Sequence, residues 1–265
     1  MSEVERAKGY IHGSTDPREV ARLEKQAGFA WRFVGPKFIA HKGERVLDLA
    51  TGVGAMAEQI LMHHPGVRLF GADVRMSQLR SAKANHPGVT LVNADGARLP
   101  FKDAVFDRIH CSWLLEHVPN PVAILRECRR VTRPGGTVHF VEVDNATFRL
   151  VPPDPEIEAV MDALNRAQTA SGGDPFVGQK LGALFREAGF EQVSLSPSAL
   201  HGRWDDPAFY AECITEFAEI FESIDEAVDP EMAQRAHAAA QKLRARLGMR
   251  GSEFHYSGVL AVATR

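Results

Sequence analysis

The chain is short of cysteine, has no excess of positive charge and lacks any long apolar run, and each shortage removes a class of protein. Cysteine occurs three times, at 111, 128 and 213, an odd number at wide spacing with no CxxC or Cys/His pattern. That spacing argues against a disulfide framework and against a zinc-ligand cluster. Cys128 and Cys213 fall in amphipathic helical text and are expected as buried free thiols, which suits a reducing compartment. No other metal constellation is legible. Lys and Arg number 31 against 34 Asp and Glu, for a net charge of −3, so the basic footprint of a nucleic-acid binder is missing. The local cluster Arg129, Arg130 and Arg133 reads as a solvated cationic helix end favoured by the helix dipole. No run approaches the roughly 20 apolar residues of a membrane span, and Met1–Arg6 has no secretory-signal character. Internal repeats and low-complexity segments are absent. A soluble cytoplasmic protein with no membrane or nucleic-acid partner is expected; nothing in the chain reports its oligomeric state.

What is present is enough apolar content, 45% over 265 residues, for one sizeable core, so a single domain over 1–265 is expected. Strand-like runs at Arg45–Ala50, Val67–Asp73, Thr90–Ala94, Phe106–Ser112 and Thr137–Asp144 alternate with helical text at about 55–63, 76–85 and 121–132. This alternation predicts a doubly wound α/β fold with a parallel sheet covered on both faces. Ligands of such sheets bind beyond the C-terminal ends of the strands. Ahead of the core, Asp16-Pro17-Arg18-Glu19 is a helix start with an N-cap, a proline at the first position and Glu at N3. Later text predicts helices at about 156–169, 177–188, 207–223 and 230–247, a sixth strand at Glu191–Ser196 and a last strand at Ser257–Thr264. A strand at the very end, after helices, can enter the sheet antiparallel.

The most informative stretch is Val46-Leu47-Asp48-Leu49-Ala50-Thr51-Gly52-Val53-Gly54, an apolar strand that stops at a glycine turn and runs into helical text. Such a turn lets backbone N–H groups approach a nucleotide-like ligand. Gly52-Val53-Gly54-Ala55-Met56-Ala57 also fits the dinucleotide fingerprint, with the acid Asp73 about 20 residues on, so an NAD-dependent oxidoreductase is one reading. Three features point elsewhere: Asp48 where a dinucleotide strand is apolar, a second acid, Asp95, at the end of strand three, and Arg133-Pro134-Gly135-Gly136-Thr137 leading into strand five.

Taken with Gly71-Ala72-Asp73-Val74, Asn93–Phe101 and Ser112-Trp113-Leu114-Leu115-Glu116-His117-Val118-Pro119, these residues resemble the class I S-adenosylmethionine-dependent methyltransferases, in the small-molecule branch grouped with the ubiquinone/menaquinone enzymes. Ala50 stands where that family usually has its first glycine. The resemblance covers about 43–145 and implies a mostly parallel seven-stranded sheet with an antiparallel last strand. It divides the chain into an N-terminal helical cover (1–40), a cofactor-binding core (43–145) and helical substrate-cover insertions around strand six (146–256). It implies S-adenosylmethionine as cofactor and a small molecule as methyl acceptor, at oxygen, nitrogen or carbon.

The resemblance also implies roles. Asp73 would accept the ribose hydroxyls, and Asp95 with Gly96 would meet the adenine, flanked by Val74. Ala50, Gly52 and Gly54 would face the methionine end, with Asp48 ordering the turn and attracting the amino group. Ser112, Trp113 and His117 would border the methionine and sulfonium, Trp113 by a cation–π contact. Tyr10 would close over the cofactor. In-line methyl transfer needs alignment and, for many acceptors, a base. His117 is the first candidate and Glu142 the second; His255 and His201 are weaker, and His139, in mid-strand, is expected to be structural. A non-methylating use of the cofactor on the same scaffold, such as a cyclisation or rearrangement, is the alternative.

Overall fold

The computed structural model describes residues 17–224 and 229–265. Tyr10 and the Asp16 cap lie outside them. α1 (Pro17–Val34) leads into β1 (Arg45–Leu49), α2 (Ala55–His63), β2 (Arg68–Asp73), α3 (Met76–Asn85), β3 (Thr90–Asn93) and β4 (Phe106–Ser112). Then come α4 (Pro121–Val131), β5 (Thr132–Val151), α5 (Pro155–Ala170), α6 (Leu181–Glu187), β6 (Gln192–Arg203), α7 (Pro207–Glu222), α8 (Pro230–Ala245) and β7 (Glu253–Thr264). The strands form a seven-stranded sheet in the order β3-β2-β1-β4-β5-β7-β6. β7 runs antiparallel to both its neighbours, and the remaining pairs are parallel. The order reverses between β1 and β4, the switch point beyond whose strand ends ligands bind in such sheets.

Four helices begin the same way. Asn120, Asp154, Asp206 and Asp229 each stand before a proline and accept a backbone N–H from the first turn. The side chain satisfies a donor that the helix leaves free, and proline occupies a position where its missing N–H costs nothing.

Three strands are longer than the sequence suggests, and β7 starts at Glu253 rather than Ser257. β5 runs to Val151 rather than Asp144, because β7 keeps pairing with it as far as Val151↔Glu253, across an irregularity between Asp144 and Arg149. β6 continues past Pro197 to Arg203. Proline is tolerated there because β6 is the sheet's edge and one side of it needs no partner. The helix expected at 177–188 is a 3-10 turn, Val177–Lys180, followed by the shorter α6.

These extensions build a second core. Leu47, Phe106, Ile109, Phe140 and Leu125 lie in one cluster with α4 and α6, and Trp31, Phe38, Val46, Met56 and Ile60 pack α1 and α2 on the opposite face. A third cluster, with Leu150, Leu200 and Phe254 from the extended strands, packs against α5, α7 and α8. The helical cover is thus carried on the projecting ends of β5, β7 and β6.

Arg130 departs from the solvated helix end expected of it. Its guanidinium bonds Glu127, Asp103 and the carbonyls of Leu99 and Phe101. Its neighbour Arg133 meets Asp107 at 2.5 Å. In the turn after it, a Cβ on Gly136 would lie 2.8 Å from the Asp107 carbonyl, so that glycine marks a close backbone approach, while Gly135 beside it takes φ 76°. Cys111, Cys128 and Cys213 are free and buried, and burial pushes the Cys213 thiol up to about 12. His139 is buried beside Phe38, and burial lowers its pKa to about 3, as a structural, neutral imidazole requires.

Candidate active site

The loop after β1 turns left-handed three times in five residues: Ala50 at φ 57°, Gly52 at 54° and Gly54 at 88°. Glycine takes this conformation freely; Ala50 pays roughly 1–2 kcal/mol for it. The departure at Ala50 is therefore felt in the backbone. Asp48 holds the loop from beneath. It is buried, with one oxygen accepting the Thr51 hydroxyl at 2.6 Å and the other meeting His110 Nδ1 at 3.2 Å. His110 Nε2 in turn meets Ser112 Oγ at 3.2 Å. The contacts place Asp48 at the His110 Nδ1 and the Ser112 hydroxyl at its Nε2. Thr51 and His110 were not singled out from the sequence. The sequence places His110 on one face of β4 with Ser112, but its partnership with Asp48 comes from the β1–β4 register.

Asp73, at the end of β2, ties this loop to the next one. One carboxylate oxygen accepts from Gly52 N at 3.0 Å and the other from Arg75 N at 2.8 Å. Burial pushes its pKa up, and the two N–H bonds offset part of that. A carboxylate offers about four lone-pair sites, so two remain for a diol. Asn93, another residue without a role in the sequence reading, braces the tip by donating to the carbonyls of Asp73 and Val74. Asp95 is exposed at the end of the next crossover and accepts from Ala97 N at 2.9 Å, with Gly96 beside it.

Beyond β4 the chain makes a sharp turn. Trp113 takes φ 54°, rare for a bulky residue, with its N–H bonded to the Val141 carbonyl. A 3-10 turn follows at Leu115–His117. Glu142 lies wholly buried beneath it and accepts N–H bonds from Leu114, Leu115 and Glu116. Burial, reinforced by the neighbouring Glu116, pushes Glu142 up to about 8. Position and bonding make Glu142 the anchor of the turn, with three of its roughly four lone-pair sites taken by backbone N–H groups. The turn is gripped from above by α5: Gln168 Nε2 donates to the Glu116 carbonyl at 3.1 Å and to its carboxylate at 2.7 Å. His117 remains partly open, with Nδ1 3.5 Å from Gln168 Nε2 and Nε2 3.7 Å from the Glu116 carboxylate. Close by, Tyr256 donates to Asn145, whose amide donates to Asn165. This polar lining is drawn from the turn after β4 and from β5, β7 and α5, which is why spacing along the chain does not reveal it.

The loop N–H groups, the Asp73 carboxylate and the exposed Asp95 carboxylate suit a ligand with a diol and a nucleobase, so the donor set fits S-adenosylmethionine. The fold also joins groups that no sequence pattern unites: His201, Glu253 and His255 meet on the far side of the β6–β7 ribbon.

Comparison with known proteins agrees with this geometry. Residues 47–140, from β1 into β5, match the family model described as a methyltransferase domain. Demethylmenaquinone methyltransferase from Streptomyces griseus subsp. griseus is 32% identical over 153 residues, 57% of this chain and 64% of that protein. The chain spans less than two thirds of the length of the curated relatives it matches. Phosphoethanolamine N-methyltransferase 2 from Haemonchus contortus, solved with phosphomonomethylethanolamine and S-adenosylhomocysteine, shares the fold at a TM-score of 0.59 and 16% identity, over 90% of this chain and 52% of that one. The [4+2]-cyclase SpnF shares it at 0.58 and 19% identity, over 91% and 80%. Fold and site agree with that match: residues 47–140 are similar to a methyltransferase domain. Among the curated proteins it is similar to are demethylmenaquinone methyltransferases from several bacteria.

Proposed function

We propose that this chain transfers a methyl group from S-adenosylmethionine to a small-molecule acceptor. The observation that carries the reading is the joined pair of tips, the left-handed β1 loop bonded through Gly52 N to the Asp73 carboxylate. When bound, S-adenosylmethionine supplies an electrophilic methyl group on a sulfonium. Asp73 accepts the ribose hydroxyls with its two remaining lone-pair positions, and Asp95 and Gly96 meet the adenine beside Val74. The N–H groups around Ala50, Gly52 and Gly54 receive the methionine end, while Asp48 keeps that loop in shape. Trp113 and Ser112 line the reacting end. His117 takes the proton that the acceptor gives up, its imidazole steadied by Gln168 and Glu116 and its turn by Glu142. Helices α5, α7 and α8 cover the acceptor and exclude water. Among the described residues no helix is long and apolar enough to cross a membrane.

Calorimetry with S-adenosylmethionine and S-adenosylhomocysteine should show micromolar or tighter binding. Demethylmenaquinone, named for the curated relatives, is the first acceptor to try, with a product heavier by one methyl group and formation of S-adenosylhomocysteine as readouts. His117→Ala should lower turnover by about 100-fold or more while cofactor affinity holds, the usual scale for losing a positioned base. Absence of heat with either ligand would overturn the cofactor. Binding and product formation without S-adenosylhomocysteine would overturn methyl transfer in favour of a rearrangement.

A further inference from the structure

We propose that His201, Glu253 and His255 form a binding site for one divalent transition-metal ion of the zinc type, separate from the methyl-transfer site. His201 on β6 lies directly across from His255 on β7, and Glu253 is two residues before His255 on the same face. The two imidazole rings stack with centroids 4.2 Å apart. Both Nε2 atoms converge on one atom, Glu253 Oε2, at 3.0 Å each, and the three ligand atoms all lie within 4.8 Å of one another. Zinc bonds imidazole nitrogen and carboxylate oxygen at about 2.0–2.2 Å, which places tetrahedral ligand atoms roughly 3.3 Å apart. The two nitrogen–oxygen pairs therefore need to open by only a few tenths of an ångström, while the two imidazole nitrogens, within 4.8 Å, come together by rotation of the stacked rings.

The donor set decides the kind of ion. Two imidazoles and one carboxylate suit Zn²⁺, Co²⁺ or Ni²⁺, whereas Mg²⁺ and Ca²⁺ take oxygen ligands. The side chains are 47%, 32% and 24% exposed for His201, Glu253 and His255, so an ion can enter from water and keep water in its remaining positions. Two arginines stand nearby in register. Arg203, across from Glu253, is turned to Asp205 at 2.7 Å; Arg149, across from His255 on β5, opposes a cation and limits the affinity to a moderate value. The opposite face of the same ribbon carries Leu200 and Phe254 in the core of the cover. A bound ion would therefore clamp the edge strand β6 to β7 where the cover is attached.

The test uses the full chain stripped with chelator. Titration with Zn²⁺ should show one ion bound at about micromolar strength, and Co²⁺ should give visible absorption bands that Zn²⁺ abolishes. His201→Ala and Glu253→Gln should each weaken Zn²⁺ binding at least tenfold and remove the Zn²⁺-dependent rise in Tm. Both side chains are accessible to solvent, and circular dichroism would check that the variants fold. The chain has 11 histidines, so the double variant His201→Ala/His255→Ala is the decisive control. Saturable binding that survives unchanged in it would overturn the proposal, as would wild-type protein that binds no ion or one that millimolar Mg²⁺ displaces.

Discussion

At the scale of single residues, the site rests on buried carboxylates with different work. Asp48 and Glu142 spend their oxygens on the protein itself, on Thr51 and His110 in one case and on three backbone N–H groups in the other. Asp73 spends only part of its capacity. Burial holds its pKa above the ordinary carboxylate value, and hydroxyl donors from a bound ribose would favour the charged form. Cofactor affinity should therefore be full above that raised pKa and fall as pH drops through it, earlier than an exposed aspartate would allow. Asp73→Asn should weaken S-adenosylmethionine binding by about 2 kcal/mol, the scale for hydrogen bonds to a charged group, and flatten the pH dependence. Calorimetry across a pH series decides it; wild-type affinity in the variant would remove Asp73 from the cofactor.

At the scale of elements, the 3-10 turn at Leu115–His117 is held from below by β5 and from above by α5 and the loop after it. Asp174 N bonds the Glu116 carbonyl at 2.8 Å, and a Cβ on Gly173 would lie 2.3 Å from the same oxygen. The glycine lets the loop close down on the turn. Gly173→Ala must push the two apart, at about 1–3 kcal/mol for an overpacked contact. Because the displaced turn carries His117, while the β1 loop and β2 tip lie elsewhere, turnover should drop with cofactor affinity nearly unchanged. Chemical denaturation and steady-state kinetics on the variant test this. A weakened cofactor with unaltered turnover would detach the turn from the chemistry.

At the scale of the whole molecule, buried titratable groups set how stability depends on pH. His139 is lowered to about 3, so the folded state resists its protonation, and its contribution is complete only above the ordinary histidine value of 6.5. Glu142 and Glu216 are raised to about 8 and about 7 from 4.5, so the folded state holds their protons longer than the unfolded chain does. Their contribution is full below 4.5 and is lost as pH climbs through those values. Between about pH 6.5 and 8 the histidine no longer gains and the carboxylates still lose, so unfolding free energy should decline there. Urea denaturation at a series of pH values would show the decline, and Glu142→Gln should flatten it. A wild-type profile that is level or rising over that interval would contradict the assignment.

Alternation of apolar strands and helices, together with the glycine turn at Gly52 and Gly54, is sufficient to read the doubly wound sheet and the strand-end acids from sequence; the antiparallel last strand comes from the family resemblance, and the order of elements only allows it. These are local signals: periodicity follows the element each residue sits in, and a left-handed turn selects glycine wherever it occurs. What lay out of reach depends on pairing between distant segments. β5 and β6 run on past their local signals because β7 offers them a partner. Arg130 is clamped because Asp103 and the Leu99 carbonyl fold back to it. His110 meets Asp48 across β1 and β4, Gln168 meets the His117 turn across 51 residues, and His201 meets His255 across the edge of the sheet. The linear chain records which side chains exist and which face of an element they occupy. Only register and layer packing bring those faces to within hydrogen-bonding distance, and that step decided which carboxylate supports a turn, which remains available to a cofactor, and where two histidines and a glutamate converge.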